Sequence, residues 1–254
     1  MAPLEKWLVS NRSYSGSVDL RLFCFPYAGG SALIYRDWAK HLPSAFQVLS
    51  VELPGRGSRL AERPLVNLPA LVDALADVMN PLLDLPYAFF GHSMGALIAF
   101  ELARTLRREK GNEPRILFAS GRRAPQNLDV SPVTYSLPRD ELIMELQRLE
   151  GTPREVLEHT ELIDLMLPAI RADFQVTQTY KYEEEPALGC PITVFGGLGD
   201  REETRRLLGD WKHQTTSRFS LHMLPGDHFF LNSSQAPLLQ LLARELTQVL
   251  RQRS

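Results

Sequence analysis

Six short apolar runs, separated by longer stretches of mostly helical period, limit what this chain can fold into more than any other feature. The runs are LRLFCF (20 to 25), FQVLSV (46 to 51), YAFFG (87 to 91), RILFAS (115 to 120), PITVFG (191 to 196) and RFSLHML (218 to 224). Several lack the in-out alternation of a half-exposed sheet, so they predict strands covered on both faces. Strands alternating with helices predict an α/β fold, a mostly parallel central sheet with helices on both faces. Leu68, Leu71, Val72, Leu75, Val78 and Met79 recur at three- and four-residue steps, forming one helical stripe that Asn67 caps and Pro69 opens. In SMGALIAFELARTLRREKG, small Ala96, Ala99 and Ala103 let a helix approach the sheet closely, and terminal arginines with Gly111 mark its end. A last helix is expected over 236 to 250.

The alternation breaks over about 138 to 182, where three helical segments follow one another without a strand, interrupted at Gly151-Thr152-Pro153 and at Pro168. A helical block inserted late in such a pattern is expected to lie over the sheet as a lid, giving one domain over residues 1–254. Its apolar residues Leu142, Leu146, Leu162, Leu165 and Met166 are expected to line a pocket over the sheet or to pack helix against helix.

At 254 residues with 28 basic and 30 acidic side chains, the net charge of −2 gives no reason to expect nucleic acid or an anionic membrane as partner. The N-terminal stretch carries polar residues where a secretory signal needs an unbroken apolar core. No later segment approaches 18 uncharged apolar residues, so a cytoplasmic protein is expected. Cys24 and Cys190, in or beside strand-like runs, read as buried free thiols.

Gly91-His92-Ser93-Met94-Gly95 fits G-x-S-x-G, in which a serine occupies a strained turn between strand and helix. The plain alternative is a glycine-rich turn with a solvent-facing serine. A serine hydroxyl needs a base within hydrogen-bond reach and an acid that orients the base. Of six histidines, His228 stands in a turn-rich loop, LPGDHFFL, just after the last strand. His41, His92, His159, His213 and His222 lie in expected helices, in the turn itself, in the inserted block, or in or beside the last strand region. Asp200, in the glycine-rich loop after PITVFG, is the preferred acid, and Asp227 is its rival. Backbone amides of Met94 and of Ala28, in the loop Pro26-Tyr27-Ala28-Gly29-Gly30, are the candidate oxyanion donors. Ser31 is placed to cap the helix that follows.

With these residues in place the chain resembles the α/β-hydrolase superfamily and, within it, the type II thioesterases of nonribosomal peptide and polyketide synthesis. The likeness rests on FPYAGGSA, VELPGRGSR, FGHSMGALIAFELAR, IRADF, CPITVFGG with Asp200, and PGDHFF, and covers nearly the whole chain from about Leu22. It implies a discrete serine hydrolase that removes acyl or aminoacyl groups stalled on the phosphopantetheine arm of a carrier protein, with no cofactor or metal of its own. A monomer is expected. Medium-chain acyl thioesterases share much of the pattern, and a stand-alone carboxylesterase with the same triad is a further alternative. Arg56, Arg59, Arg63, Arg122 and Arg123 follow expected strand ends, where they would either border the site and meet an acidic carrier or form a solvated loop surface.

Overall fold

The computed structural model describes residues 4–10, 17–127, 132–149, 151–152 and 154–251. Pro153 of the expected break between helices lies outside them, as do residues 1–3 and 11–16 of the polar N-terminus. The strands are β1 (Leu8–Val9), β2 (Leu20–Phe25), β3 (Phe46–Val51), β4 (Tyr87–His92), β5 (Leu117–Ser120), β6 (Ile192–Gly197) and β7 (Phe219–Leu224). They form one sheet in the order β1-β3-β2-β4-β5-β6-β7, parallel except for β1, which runs antiparallel to β3. All six expected strands form, and β1 is an addition to them.

The sheet buries both faces, which is why its strands read as continuous apolar runs. In β4, Tyr87 and Phe89 enter one core with the helices Leu68–Met79 and Met94–Lys110, whereas Ala88 and Phe90 enter a second core with the helix Gln235–Arg251. Each fully buried aromatic of this kind contributes about 1.5–3 kcal/mol relative to an exposed one. Asn67 caps the helix Leu68–Met79 by accepting a hydrogen bond from the Ala70 amide at 2.9 Å. Gly111 ends the helix Met94–Lys110 in the left-handed conformation, φ 62°. Ser31 caps a 3-10 turn, Ala32–Tyr35, where an ordinary helix was expected.

Strand order decides where a site can form. From β2 the chain passes to β3 on one side, then returns across β2 to build β4 on the other. Loops leaving β2 and β4 at their C-terminal ends therefore diverge around an open crevice, the switch point where α/β sheets bind ligands. Phe25 pairs with Gly91, so the two strands end level and the loop after Phe25 lies beside Ser93.

The block between β5 and β6 contains the helices Arg139–Leu149, Arg154–Glu158 and Thr160–Gln178. Leu142, Leu146, Ile163, Leu167 and Ile170 form a third, smaller cluster there. Pro168 does not break its helix as the sequence suggested. Both Pro168 and Asp164, whose carbonyl loses its donor, are exposed, so water can take the bond that proline cannot supply. Leu162 and Leu165 likewise depart from expectation, being 38% and 50% exposed.

Gly95 is where strand, turn and helix crowd together. A Cβ there would lie 2.1 Å from the Phe25 carbonyl oxygen, so Gly95→Ala is expected to cost about 3 kcal/mol or more. At Gly111 a Cβ meets nothing within 4 Å, so Gly111→Ala is expected to cost only the left-handed strain, about 1 kcal/mol. Urea unfolding of the two variants checks the contrast.

Candidate active site

Ser93 is the only non-glycine residue with positive φ among the described residues, at φ 53° and ψ −115°. It joins the last residue of β4 directly to the first residue of the next helix. Its amide donates to the Ser120 carbonyl of β5 at 2.8 Å, and its carbonyl accepts from Ala96 at 3.0 Å. A Cβ on Gly91 would lie 2.0 Å from the Gly95 oxygen, which explains the glycine on that side of the serine.

The loops after β6 and β7 bring an imidazole and a carboxylate together. Leu198 and Gly199 donate their amides to the carbonyls of Leu224 and Gly226, each at 2.8 Å. Gly197 approaches so closely that a Cβ would lie 2.1 Å from the Asp227 carbonyl oxygen. Across this junction His228 Nδ1 lies 2.7 Å from Asp200 Oδ2. An ionised carboxylate only accepts, so the neutral imidazole carries its proton on Nδ1, and Nε2 is left as an acceptor. The rival Asp227 is engaged elsewhere, accepting from the Phe229 amide at 2.7 Å.

Asp200 Oδ1 accepts from the Glu202 and Glu203 amides, each at 3.0 Å. Burial works against the Asp200 charge, but the His228 bond and charge and these two amides outweigh it, holding the carboxyl below its ordinary range. Glu203 is itself fixed by Arg123, whose amide donates to its carboxylate at 2.7 Å and whose guanidinium lies 3.2 Å from it. The sequence reading missed this pair.

Ala28, Ser93, Asp200 and His228 line one cavity of about 680 Å³, and Leu146, Leu149 and Phe174 of the inserted block complete its wall. Met94 is buried behind the serine, and its amide, the first of its helix, has no intrahelical acceptor. In the loop after β2, the Gly29 amide donates to Asp173 Oδ2 at 2.7 Å and the Gly30 amide to the Tyr27 carbonyl at 2.9 Å. His92 lies behind His228, ring centroids 5.1 Å apart, with Nδ1 2.9 Å from Ser120 Oγ. Burial first, and the neighbouring His228 second, hold it well below the usual histidine range, so it is neutral. His41, His159, His213 and His222 do not line the cavity.

Three of the arginines expected at the mouth are internal. Arg56 and Arg123 are 8% exposed and Arg59 only 3%. Arg56 pairs with Asp173 at 2.6 Å, Arg123 with Glu203, and Arg59 with Glu62 at 2.6 Å beneath the Trp7 ring. A guanidinium this deeply buried and already paired cannot also meet a partner protein. Arg63 is exposed, and Arg122 and Arg123 both line the cavity, so these two border the site as expected. Both cysteines are buried and unpaired, as expected.

The thioesterase-domain family profile matches residues 20–246. This chain belongs to the thioesterase family. It is 44% identical over 250 residues to the gramicidin S biosynthesis protein GrsT of Aneurinibacillus migulanus, across 98% of this chain and 97% of that one. Linear gramicidin dehydrogenase LgrE of Brevibacillus parabrevis is 43% identical over 245 residues, across 95% and 93%. The solved structure of the type II thioesterase BorB from the borrelidin biosynthetic cluster matches with a TM-score of 0.87 at 36% identity, covering 94% of this chain and 97% of that one. The dehydrogenase name is not carried to this thioesterase, whose sequence holds no G-x-G-x-x-G phosphate-binding turn. The resemblance to type II thioesterases is borne out, and with it the α/β-hydrolase fold.

Because the Asp200 carboxyl binds its proton less readily when folded, its stabilising contribution is present above the unfolded value near ~4 and is lost as pH falls through the folded one. Asp200→Asn removes that contribution. The gap in melting temperature between wild type and this variant is expected to be widest at neutral pH and to narrow below about pH 4. Thermal melts from neutral to acid pH check this, and a constant gap would contradict it.

Proposed function

We propose that this thioesterase uses Ser93, His228 and Asp200 to hydrolyse acyl or aminoacyl thioesters on the phosphopantetheine arm of carrier proteins, returning stalled synthases to work. The observation that carries the reading is the His228–Asp200 couple, bonded at 2.7 Å and sharing one cavity with a serine held at positive φ.

His228 Nε2 takes the Ser93 hydroxyl proton as Oγ bonds to the thioester carbonyl carbon. The carbonyl electrons move onto oxygen, and the Met94 and Ala28 amides receive that charge. On collapse the carbon–sulfur bond breaks, the thiol leaves with the proton from His228, and an acyl-serine remains. Water then attacks the ester, giving its proton to His228, and the carboxylic acid departs as Ser93 regains its hydrogen. Asp200 keeps the imidazole in the useful tautomer throughout. Every proton passes through one imidazole, so the scheme requires neither metal nor nucleotide.

The inserted helices act as a lid in this reading, since they supply Leu146, Leu149 and Phe174 to the cavity wall where an acyl chain would lie. The names of the relatives support an assembly-line substrate: one belongs to gramicidin S biosynthesis and another to a borrelidin cluster. The two unpaired thiols suit a reducing compartment, and we place the enzyme in the cytoplasm.

The test is mass spectrometry of carrier proteins loaded with a panel of acyl groups, before and after incubation. Wild type is expected to release them, and Ser93→Ala to lower kcat by about 10⁴-fold or more. Faster turnover of acyl-coenzyme A or simple esters than of acyl-carrier protein would favour a medium-chain thioesterase or carboxylesterase instead.

A further inference from the structure

The buried ion pair between Arg56 and Asp173 is built in a way that simple fold stability does not require. The partners come from segments distant in sequence, Arg56 from the loop after β3 and Asp173 from the helix Thr160–Gln178 of the inserted block. Their side chains are 9% and 4% exposed and meet in a two-pronged contact, Nη1 to Oδ2 at 2.6 Å and Nη2 to Oδ1 at 2.7 Å. Pairs of this kind are replaced by apolar residues with little loss of stability, because desolvation offsets most of their attraction.

Each partner also holds the backbone. Asp173 Oδ2 accepts from the Gly29 amide at 2.7 Å, and Arg56 Nη1 donates to the Gly30 carbonyl at 2.9 Å. Two consecutive residues of the loop after β2 are thus gripped, one by its N–H and the next by its C=O. One helical turn before Asp173, Ile170 closes against the same place: a Cβ on Gly29 would lie 3.2 Å from Ile170 Cγ1. Gly29 sits at φ 76°, a conformation that suits glycine and lets the helix approach this closely. The residue immediately before the gripped pair is Ala28, which lines the cavity with Ser93.

We infer that the Arg56–Asp173 pair is a positioning device for the oxyanion hole: Asp173 takes the Gly29 amide out of play and fixes the loop so that Ala28 supplies the donor, while Arg56 cancels the carboxylate charge that would otherwise oppose the oxyanion. The inference rests on the reading of Ser93 and Ala28 proposed above and extends it to two residues that touch no reacting atom. A lone carboxylate next to a developing negative charge would raise the barrier, and its two-pronged partner removes that penalty. Asp173 belongs to the inserted block, so the hole keeps its shape only while that helix stays seated on the loop.

The experiment is steady-state hydrolysis of an acyl-N-acetylcysteamine thioester by wild type, Asp173→Asn, Arg56→Lys and the double variant Arg56→Met with Asp173→Leu, each with a circular-dichroism melt. Loss of a well-placed donor costs about 10²–10³-fold in kcat, and a displaced donor is expected to cost less, about 10- to 100-fold for Asp173→Asn. KM is expected to stay within about threefold, because the defect lies in the transition state. The acid limb of kcat/KM is expected not to move, because the His228–Asp200 couple is untouched. Arg56→Lys keeps the charge but loses the fork, and is expected to fall between. The double variant removes both charges together, so it is expected to stay folded and still lose kcat. A folded double variant with kcat within about twofold of wild type, or a loss carried entirely by KM, would overturn the inference. So would a double variant that does not fold, since the pair would then be structural. Failure of wild type to hydrolyse the thioester would instead remove the reading beneath it, and the two failures are told apart by that control.

Discussion

The backbone at Ser93 is the constraint on which the rest of the structure depends. A non-glycine residue at φ 53° stores strain of about 1–3 kcal/mol and persists only where its surroundings leave it no alternative. Here the surroundings are the end of β4, the start of a buried helix, a ladder bond from the Ser93 amide to β5, and the Phe25 carbonyl pressed against Gly95. None of these contacts can relax alone. Moving the helix away from Phe25 would open the core that Ala96, Ala99 and Ala103 fill, and releasing the Ser120 carbonyl would unpair β5. The strain is held by the two-sided sheet itself.

The same economy appears on the acid side of the site. Asp200 stands on a loop, and loops are where geometry is hardest to hold. Two successive amides donate to its Oδ1, and the second belongs to Glu203, whose carboxylate is clasped by Arg123 from the loop after β5. A buried charged pair therefore fixes backbone that in turn fixes the proposed catalytic carboxylate. Arg56 and Asp173 repeat the arrangement at the loop after β2. Both pairs join segments that are distant in sequence, and in both the backbone bonds give the pair a purpose beyond its own attraction.

Much of this was legible in the sequence, for identifiable reasons. Strands covered on both faces leave unbroken apolar runs with sharp flanks, so β2 and β3 were placed at their observed bounds and the other four expected strands within two residues. Strand β1 was missed because two residues, Leu8 and Val9, carry no period; only the pairing with Ser50 and Val51 makes them a strand. Ser93, His228 and Asp200 could be singled out as candidates because strand-end loops announce themselves through glycine and proline. The pairing of Arg56 and Arg123 was missed for the opposite reason. Arg56 stands 117 residues from Asp173 and Arg123 stands 80 from Glu203, so nothing local distinguishes them from solvated surface charge. The proline at 168 was overread, since exposure decides whether a missing donor matters.

The two halves of the cavity obey different rules. Ala28, Ser93, Asp200 and His228 all stand on loops leaving parallel strands, and their spacing is set by the ladder from β2 to β7. Leu146, Leu149 and Phe174 come from the inserted block, whose own cluster of Leu142, Leu146, Ile163, Leu167 and Ile170 packs apart from the two cores of the sheet. A change in the wall can therefore alter the space offered to an acyl chain without passing through the strands that hold the proposed nucleophile. The helix Thr160–Gln178 is the exception: its Val176 packs in the first core, its Ile170 closes on Gly29, and its Asp173 makes the tightest link. Asp173 stands on the inserted block yet grips the loop beside Ala28, so the block is not interchangeable as a whole. Its helix Thr160–Gln178 must keep one turn, Ile170 to Asp173, in register with Gly29, while the helix Arg139–Leu149 makes none of these contacts with the loop. Variation in substrate fit is thus expected to concentrate in the earlier helix of the block and to spare that turn.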